Sequence, residues 1–405
     1  MKTVKIITIS LIISLLILGG WWFGFRTKTN LSNLPQAIQS FFPLGITNQV
    51  TNTIKDAVTD SLTGADEEDR PTTRILFDRP IGSFTTTSLA SSTLVFFTDQ
   101  AKGNLYVWNS SNNQTKRLSN DTTLNTRSLT TLTDANFTNV YLKSTTDSKE
   151  IQYKVFSIPT EILLTDNLDT NFQPKNLPNN IKDIITNYND LLVIETSGSG
   201  VAGYTSSPDL NNKLKKFSSI LTSFNFSLTK NNNIVLNTKP SYFTDGFSFI
   251  LKDGAKALDY LVVNKSGLNT NFSPNEQMVI YSTSNGTKIN TFLYDLVNNQ
   301  TTSLPFDTLA EKCTWSTDSA SVYCGLPINY PDTTYNFPDD WYSGLVNFND
   351  NIIGFNVTDP RTFYTIFNLQ SNKIDIKKIE LSTNDRLLFY QDKNTNNLWL
   401  SELTY

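Results

Sequence analysis

Histidine is absent from all 405 residues. A Ser-His-Asp triad, a Cys-His dyad, an imidazole zinc site and a histidine general base are thereby excluded. Positive charge is also scarce, with 33 Lys and Arg against 37 Asp and Glu, a net charge of -4 and a pI near 5.1. That balance offers no attraction to a phosphate backbone or an anionic lipid surface, so nucleic acid is not an expected partner. Cysteine occurs only at Cys313 and Cys324. Two thiols without histidine make a poor metal site, and neither a metal nor another cofactor is expected.

Aromatic residues are plentiful, with 26 Phe, 16 Tyr and 6 Trp making up 12% of the chain. A chain this long and this aromatic can bury a large core, which rules out disorder throughout.

From Ile6 to Phe25 the sequence reads IITISLIISLLILGGWWFGF, twenty residues without a charge. As a helix they span about 30 Å, one bilayer crossing. Lys2 and Lys5 precede the run, and Trp21 and Trp22 fall where an interfacial aromatic belt sits. No small-residue cleavage site follows, so residues 1–26 are read as an uncleaved membrane anchor that leaves the bulk of the chain extracytoplasmic. Residues 27–73 read as a polar linker. Within it Ile46, Val50, Ile54, Val58 and Leu62 recur at helical spacing, which suits a short amphipathic helix, and Asp66 to Asp69 form a solvated acidic cluster.

Beyond Thr73 there is no helical period. Apolar segments of four to six residues alternate with Asn, Asp, Gly, Ser, Thr and Pro clusters, among them ILFD (75–78), TLVFFT (93–98), NLYVWN (104–109), YKVFSI (153–158), LLVIET (191–196), MVIYST (278–283) and LLFYQD (387–392). Each has the length and β-branched or aromatic character of one strand. Three stretches share a grammar: FSPNEQMVIYST from Phe272, WSTDSASVYC from Trp315 and LSTNDRLLFYQDKNTNNLWLSEL from Leu381; a more degenerate copy starts at Leu89. A Ser-x-Asn/Asp turn closes one hairpin and an Asn-rich turn the next, because these residues tolerate positive φ and hydrogen-bond their own backbone. The result is a four-stranded meander.

Meanders with apolar side chains on both faces must stack, and radial stacking makes a propeller. The fold class is therefore all-β: a β-propeller over residues 74–405, which at about 45 residues per blade has seven four-stranded blades, six or eight being the neighbouring counts. A β-sandwich or solenoid is the competing architecture. The last repeat supplies three strands only, near 374–381, 387–391 and 398–403, and the first β segment, 74–78, has no hairpin partner of its own. Pairing the two ends of the chain in one blade removes both free edges.

The three clear repeats resemble the WD40-like repeat of TolB-type periplasmic propellers, whose pattern is a Ser-Pro-Asp-Gly turn followed by a short strand and an Ile/Leu-Tyr/Trp strand. The Gly of that turn is missing from all three copies here. What the resemblance implies is a propeller that serves as a scaffold for envelope partners, although the membrane anchor departs from the family.

The longest irregular stretch, Leu326 to Leu345, carries Asp339, Asp340, Trp341 and Tyr342. Aromatics beside carboxylates suit a recognition surface for a protein, peptide or sugar; the alternative is that Trp341 and Tyr342 fold back over a blade. Adjacent carboxylates in extended chain point apart, so Asp339 and Asp340 make a poor catalytic pair, and no catalytic residue is assigned. The run GSGVAG from Gly198 reads as a flexible loop, since no Lys-Ser/Thr or helix follows it. Cys313 and Cys324 flank a turn, and a hairpin centred on Asp318 and Ser319 sets them directly opposite; a disulfide and two buried thiols are both compatible with that register. The expected function is a single-pass plasma-membrane protein whose extracytoplasmic propeller binds envelope proteins. A carbohydrate-active enzyme using carboxylates and aromatics at the channel mouth, and a self-associating surface-layer component, are the alternatives.

Overall fold

The computed structural model describes residues 72–165, 171–187, 190–331 and 334–403. The anchor expected at 6–25 and all but the last two residues of the linker at 27–73 lie outside them. Among the described residues no helix is long and apolar enough to cross a membrane.

Among the described residues twenty-eight strands form seven four-stranded antiparallel sheets, each an up-and-down meander. Blades 1 to 6 occupy residues 81–117, 126–176, 181–219, 224–266, 269–303 and 313–367, and blade 7 occupies 376–402 together with Thr73–Ile75. Burial falls from the middle of each blade outward. In blade 1 the second strand, Ser92–Asp99, is buried at every position, whereas the fourth, Gln114–Arg117, is polar and largely exposed. A central strand is covered on both faces by neighbouring blades, so it reads as a continuous apolar run instead of alternating.

A separate hydrophobic cluster fills each interface around the ring. Leu94, Phe96 and Val107 of blade 1 pack on Val140 and Phe156 of blade 2, and equivalent clusters join blades 2 and 3, 3 and 4, 4 and 5, 5 and 6, and 6 and 7. The last joins Phe389, Leu398 and Leu400 of blade 7 to Phe84, Val95 and Phe97 of blade 1, so the ring is closed. Thr73–Ile75 is the outer strand of blade 7, with Thr73 opposite Ser401 and Ile75 opposite Trp399. Of the segment read as strand at 75–78, only Ile75 is one. Leu76 and Phe77 turn inward, and the Phe77 ring lies 4.8 Å from that of Phe97.

The Ser-x-Asn/Asp turns share one geometry. Ser273, Ser316 and Ser382 each accept from the backbone N–H five residues on, at 3.0, 2.8 and 2.9 Å, and donate to Asn275, Asp318 and Asn384. Ser316 also pairs with Ser321 through the backbone, so the loop has four residues instead of two. Both loops share a centre, and Cys313 still faces Cys324. The two are joined by a disulfide with a Cα separation of 4.0 Å.

The GSGVAG run is not a loop. Gly198 turns a hairpin, and Gly200–Ser206 is the third strand of blade 3. A Cβ on Gly203 would come within 2.1 Å of the Phe217 ring, so the glycine is there to let Phe217 cross the strand.

Candidate functional site

Connections between strands two and three, and between successive blades, emerge on one face of such a ring; the remaining turns lie on the other. The first of these, the mouth face, carries the 22 residues between Pro327 and Asp350 and a cavity of about 260 Å³.

The loop is folded around a buried cation. Lys312, fully buried, donates to Asp350 Oδ2 at 2.7 Å and Asp375 Oδ1 at 2.6 Å, and both carboxylates are also fully buried. Trp341 is 2% exposed, and its Nε1–H donates to Asp375 Oδ2 at 2.9 Å. The Lys312 ammonium sits 5.0 Å from the Trp341 ring and 4.6 Å from that of Phe348. Lys393 donates to the Val346 carbonyl and approaches the Trp341 ring to 4.9 Å. Burial pushes the Asp350 carboxyl up to about 6 against the pull of Lys312, and its Oδ1 has no partner among the described residues. Desolvating three ions is costly, and only this degree of pairing and hydrogen bonding offsets it.

The residues singled out in this loop are thus brought together, each turned to a structural contact. Asp339–Tyr342 forms a single helical turn. Asp339 accepts from Ser241 Oγ at 2.8 Å and Tyr242 N at 2.7 Å, tying the loop to blade 4. Asp340 accepts from Asn336 N at 2.7 Å. The Tyr342 hydroxyl is held by Glu311 and by Asn269 Nδ2, at 3.2 Å from the latter, while the residue remains partly exposed. Burial pushes the Glu311 carboxyl up to about 7, and its hydrogen bond with Tyr342 and the charge of Lys312 pull the other way.

The second feature is electrostatic. In blades 1, 2, 3 and 7 the inner strand is bulged at its start, where pairing slips past Gly82 and Ser83, Arg127, Lys182 and Lys377 respectively. A bulged residue is unpaired and re-aimed, so three of four blades direct a cation where the ladder would be. Arg127 and Lys377 line one cavity of about 260 Å³ with Thr123, Asn125, Asn396 and Asp99. Among the described residues neither cation pairs with a carboxylate. Asp99 is buried and already taken by Arg79 Nη1 at 2.7 Å and by the N–H groups of Ala101 and Lys102 at 2.8 and 2.9 Å. Burial, then Arg127 and Lys378, draw the Lys377 ammonium below the ordinary lysine range. Sequence reasoning did not find these cations, since nothing in TRSL or IKKI marks a bulge; nor did it find Lys312, whose setting in AEKCTW, a charge directly before a core strand, was the available signal.

A third feature is apolar. Ile220, Phe243 and Tyr260 are 83%, 69% and 73% exposed, with Leu214 and Leu221 also open, and all belong to the adjoining blades 3 and 4 or their connections. Between the blades runs a groove of about 300 Å³ lined by Leu214, Lys215, Lys216, Lys252 and Lys256. Among the described residues no group of three or more carboxylates or cysteines could hold a metal ion.

No protein-family model matches the chain, and no curated protein matches it in sequence. Solved structures do. An oligogalacturonate lyase from Vibrio parahaemolyticus superposes with a TM-score of 0.52 at 8% identity, over 84% of this chain and 95% of that one. The β-propeller domain of the Trilobed protease from Pyrococcus furiosus gives 0.51 at 10% identity, over 81% and 97%. TolB from Acinetobacter baumannii gives 0.41 at 10% identity, over 79% of each chain. For the two with TM-scores above 0.5, a likeness this distant in sequence extends to the fold and not to the function. The chain is a seven-bladed, four-stranded β-propeller.

Proposed function

We propose that this chain is a single-pass membrane protein whose extracytoplasmic propeller is a protein-binding scaffold in a prokaryotic envelope, docking its partner on blades 3 and 4. The observation that carries the reading is that, among the described residues, five of the eight large apolar side chains more than half exposed, Leu214, Ile220, Leu221, Phe243 and Tyr260, belong to two adjoining blades or their connections. Apolar groups gathered in one sector of a polar surface mark interaction sites, and aromatic anchors contribute most of the energy of such interfaces. Lysines rim the groove between the blades, of which Lys215 and Lys256 make no ion pair among the described residues, so the partner offers apolar and acidic groups. The uncharged run at 6–25 supports the anchor. The Cys313–Cys324 disulfide supports an oxidising compartment and hence export.

A photo-crosslinking amino acid placed at Phe243 in the full chain on intact cells tests this. One defined envelope protein in the adduct, lost in the Ile220→Ser and Tyr260→Ser double variant, is the expected result. Self-adducts alone would favour the surface-layer component, and an absence of adducts would remove the docking surface.

A further inference from the structure

The cavity at the channel mouth stands apart from the docking sector, and its lining has a different chemistry. Its two cations come from blades 2 and 7, on either side of blade 1, and each occupies the bulge of its inner strand. Between them blade 1 has Gly82. A Cβ there would meet Thr98 Oγ1 at 2.7 Å and the Thr126 Cβ at 2.9 Å, so the absent side chain lets blades 1 and 2 close beneath the cavity without filling it. Arg127 is oriented by a hydrogen bond from its Nε to Thr145 Oγ1 at 3.1 Å, which leaves its terminal nitrogens uncommitted by any described side chain. The remaining wall is mostly hydroxyl and amide groups, from Gln100, Thr123, Asn125, Thr126 and Asn396, with Ile81 and the Asp99 carboxylate beside them.

We propose that this cavity binds a small hydroxylated oxyanion, a carboxylate or phosphate, with Arg127 and Lys377 taking the charge and the surrounding amides and hydroxyls taking the hydroxyl groups. Two like charges held in one cavity repel, and an anion between them turns that repulsion into two charge-assisted hydrogen bonds. The Asp99 carboxylate does not supply this role, since Arg79 and two backbone N–H groups already use its oxygens. Size limits the ligand. About 260 Å³ is below the roughly 300 Å³ at which pockets for drug-sized molecules begin, which suits a single sugar acid or sugar phosphate. The planar fork of Arg127 can grip two oxygens of either group at once.

The test is calorimetric titration of the detergent-solubilised full chain with glucuronate, inorganic phosphate and neutral glucose. Saturable binding of glucuronate identifies a carboxylate site and saturable binding of phosphate a phosphate site; glucose should not bind. Arg127→Gln and Lys377→Gln should each weaken binding at least tenfold, and Lys175→Gln, on the exposed outer strand of blade 2, should leave it unchanged. In the wild-type chain the bound anion should also slow reductive methylation at Lys377, a readout that does not depend on any variant folding. Absence of saturable binding for both anions overturns the proposal. So does binding that survives both substitutions with Lys377 still freely methylated. The docking reading stands or falls separately.

Discussion

Asp385 of blade 7 accepts hydrogen bonds from the backbone N–H and the hydroxyl of Thr317 in blade 6, both at 2.9 Å. Asp385 occupies the turn position where the related repeat pattern has glycine, and its φ is 59°. Glu276 and Ser319 hold the equivalent positions at 61° and 65°. Glu276 accepts from Asn231 N at 2.8 Å and Asn233 Nδ2 at 2.6 Å, and Ser319 Oγ accepts from Asn275 N at 3.0 Å. The missing glycines are thus replaced by side chains that tie each turn to the preceding blade, from blade 4 round to blade 7. The left-handed backbone costs about 1–2 kcal/mol at each position. Asp385→Gly should therefore lower stability by only about 1 kcal/mol, because strain relief offsets part of the lost hydrogen bonding, while Asp385→Ala should cost about 2–3 kcal/mol. Urea unfolding separates the two; a glycine variant more stable than wild type would mean that strain outweighs the link.

Glu311 gives the propeller a pH dependence whose sign follows from its raised carboxyl. The folded chain holds that proton up to about pH 7, whereas an unfolded chain releases it near 4.5. Between these values the folded state binds the extra proton, so its stability is highest below the window and falls as pH rises through it, by at most about 1.4 kcal/mol per pH unit. Asp350, raised to about 6, adds to the fall with the same sign. Glu311→Gln should flatten the slope between pH 5 and 8 without abolishing it. Equal slopes in the two proteins would show that Glu311 ionises normally.

Lys312 holds the mouth loop by charge, and Lys312→Met should cost about 3–5 kcal/mol by leaving Asp350 buried without a cation and Asp375 with only Lys393, 3.7 Å away. Limited proteolysis between Pro327 and Asp350 should accelerate in the variant before global unfolding begins. Unchanged cleavage would mean that the Phe337, Trp341 and Phe348 cluster suffices.

Phe77 anchors the amino-terminal strand against blade 1, 4.8 Å from Phe97 and 5.1 Å from Tyr106. Phe77→Ala should lower stability by about 3–5 kcal/mol, whereas Phe243→Ala, on the open sector, should change it by less than about 0.5 kcal/mol. Similar unfolding midpoints would show that the ring is held without its terminal strand.

The disulfide predicts an intact mass lower by two hydrogens before reduction. Replacing both cysteines by serine should cost about 2–4 kcal/mol, and reductant should reproduce that shift in the wild-type chain and have no effect on the double variant.

The repeat grammar was readable because turn chemistry and strand length act over short stretches. Ser-x-Asn/Asp before an apolar run dictates a hairpin wherever it occurs, and three carboxy-terminal strands leave a place that Thr73–Ile75 fills. Blade 4 escaped notice because its turns are built from Thr229, Asn231 and Lys252 to Ala255 instead of the shared Ser-x-Asn/Asp form.

By itself the sequence determined the all-β meander and the register that sets Cys313 against Cys324, since each depends on neighbours a few residues apart, and the apolar strands whose two faces oblige the blades to stack. Tertiary structure alone decided that Trp341 turns inward onto a lysine paired with aspartates 38 and 63 residues away. It alone decided that bulges bring Arg127 and Lys377 into one cavity across blade 1. Those contacts arise only when the ring closes, because closure sets side by side the groups that the chain order keeps far apart.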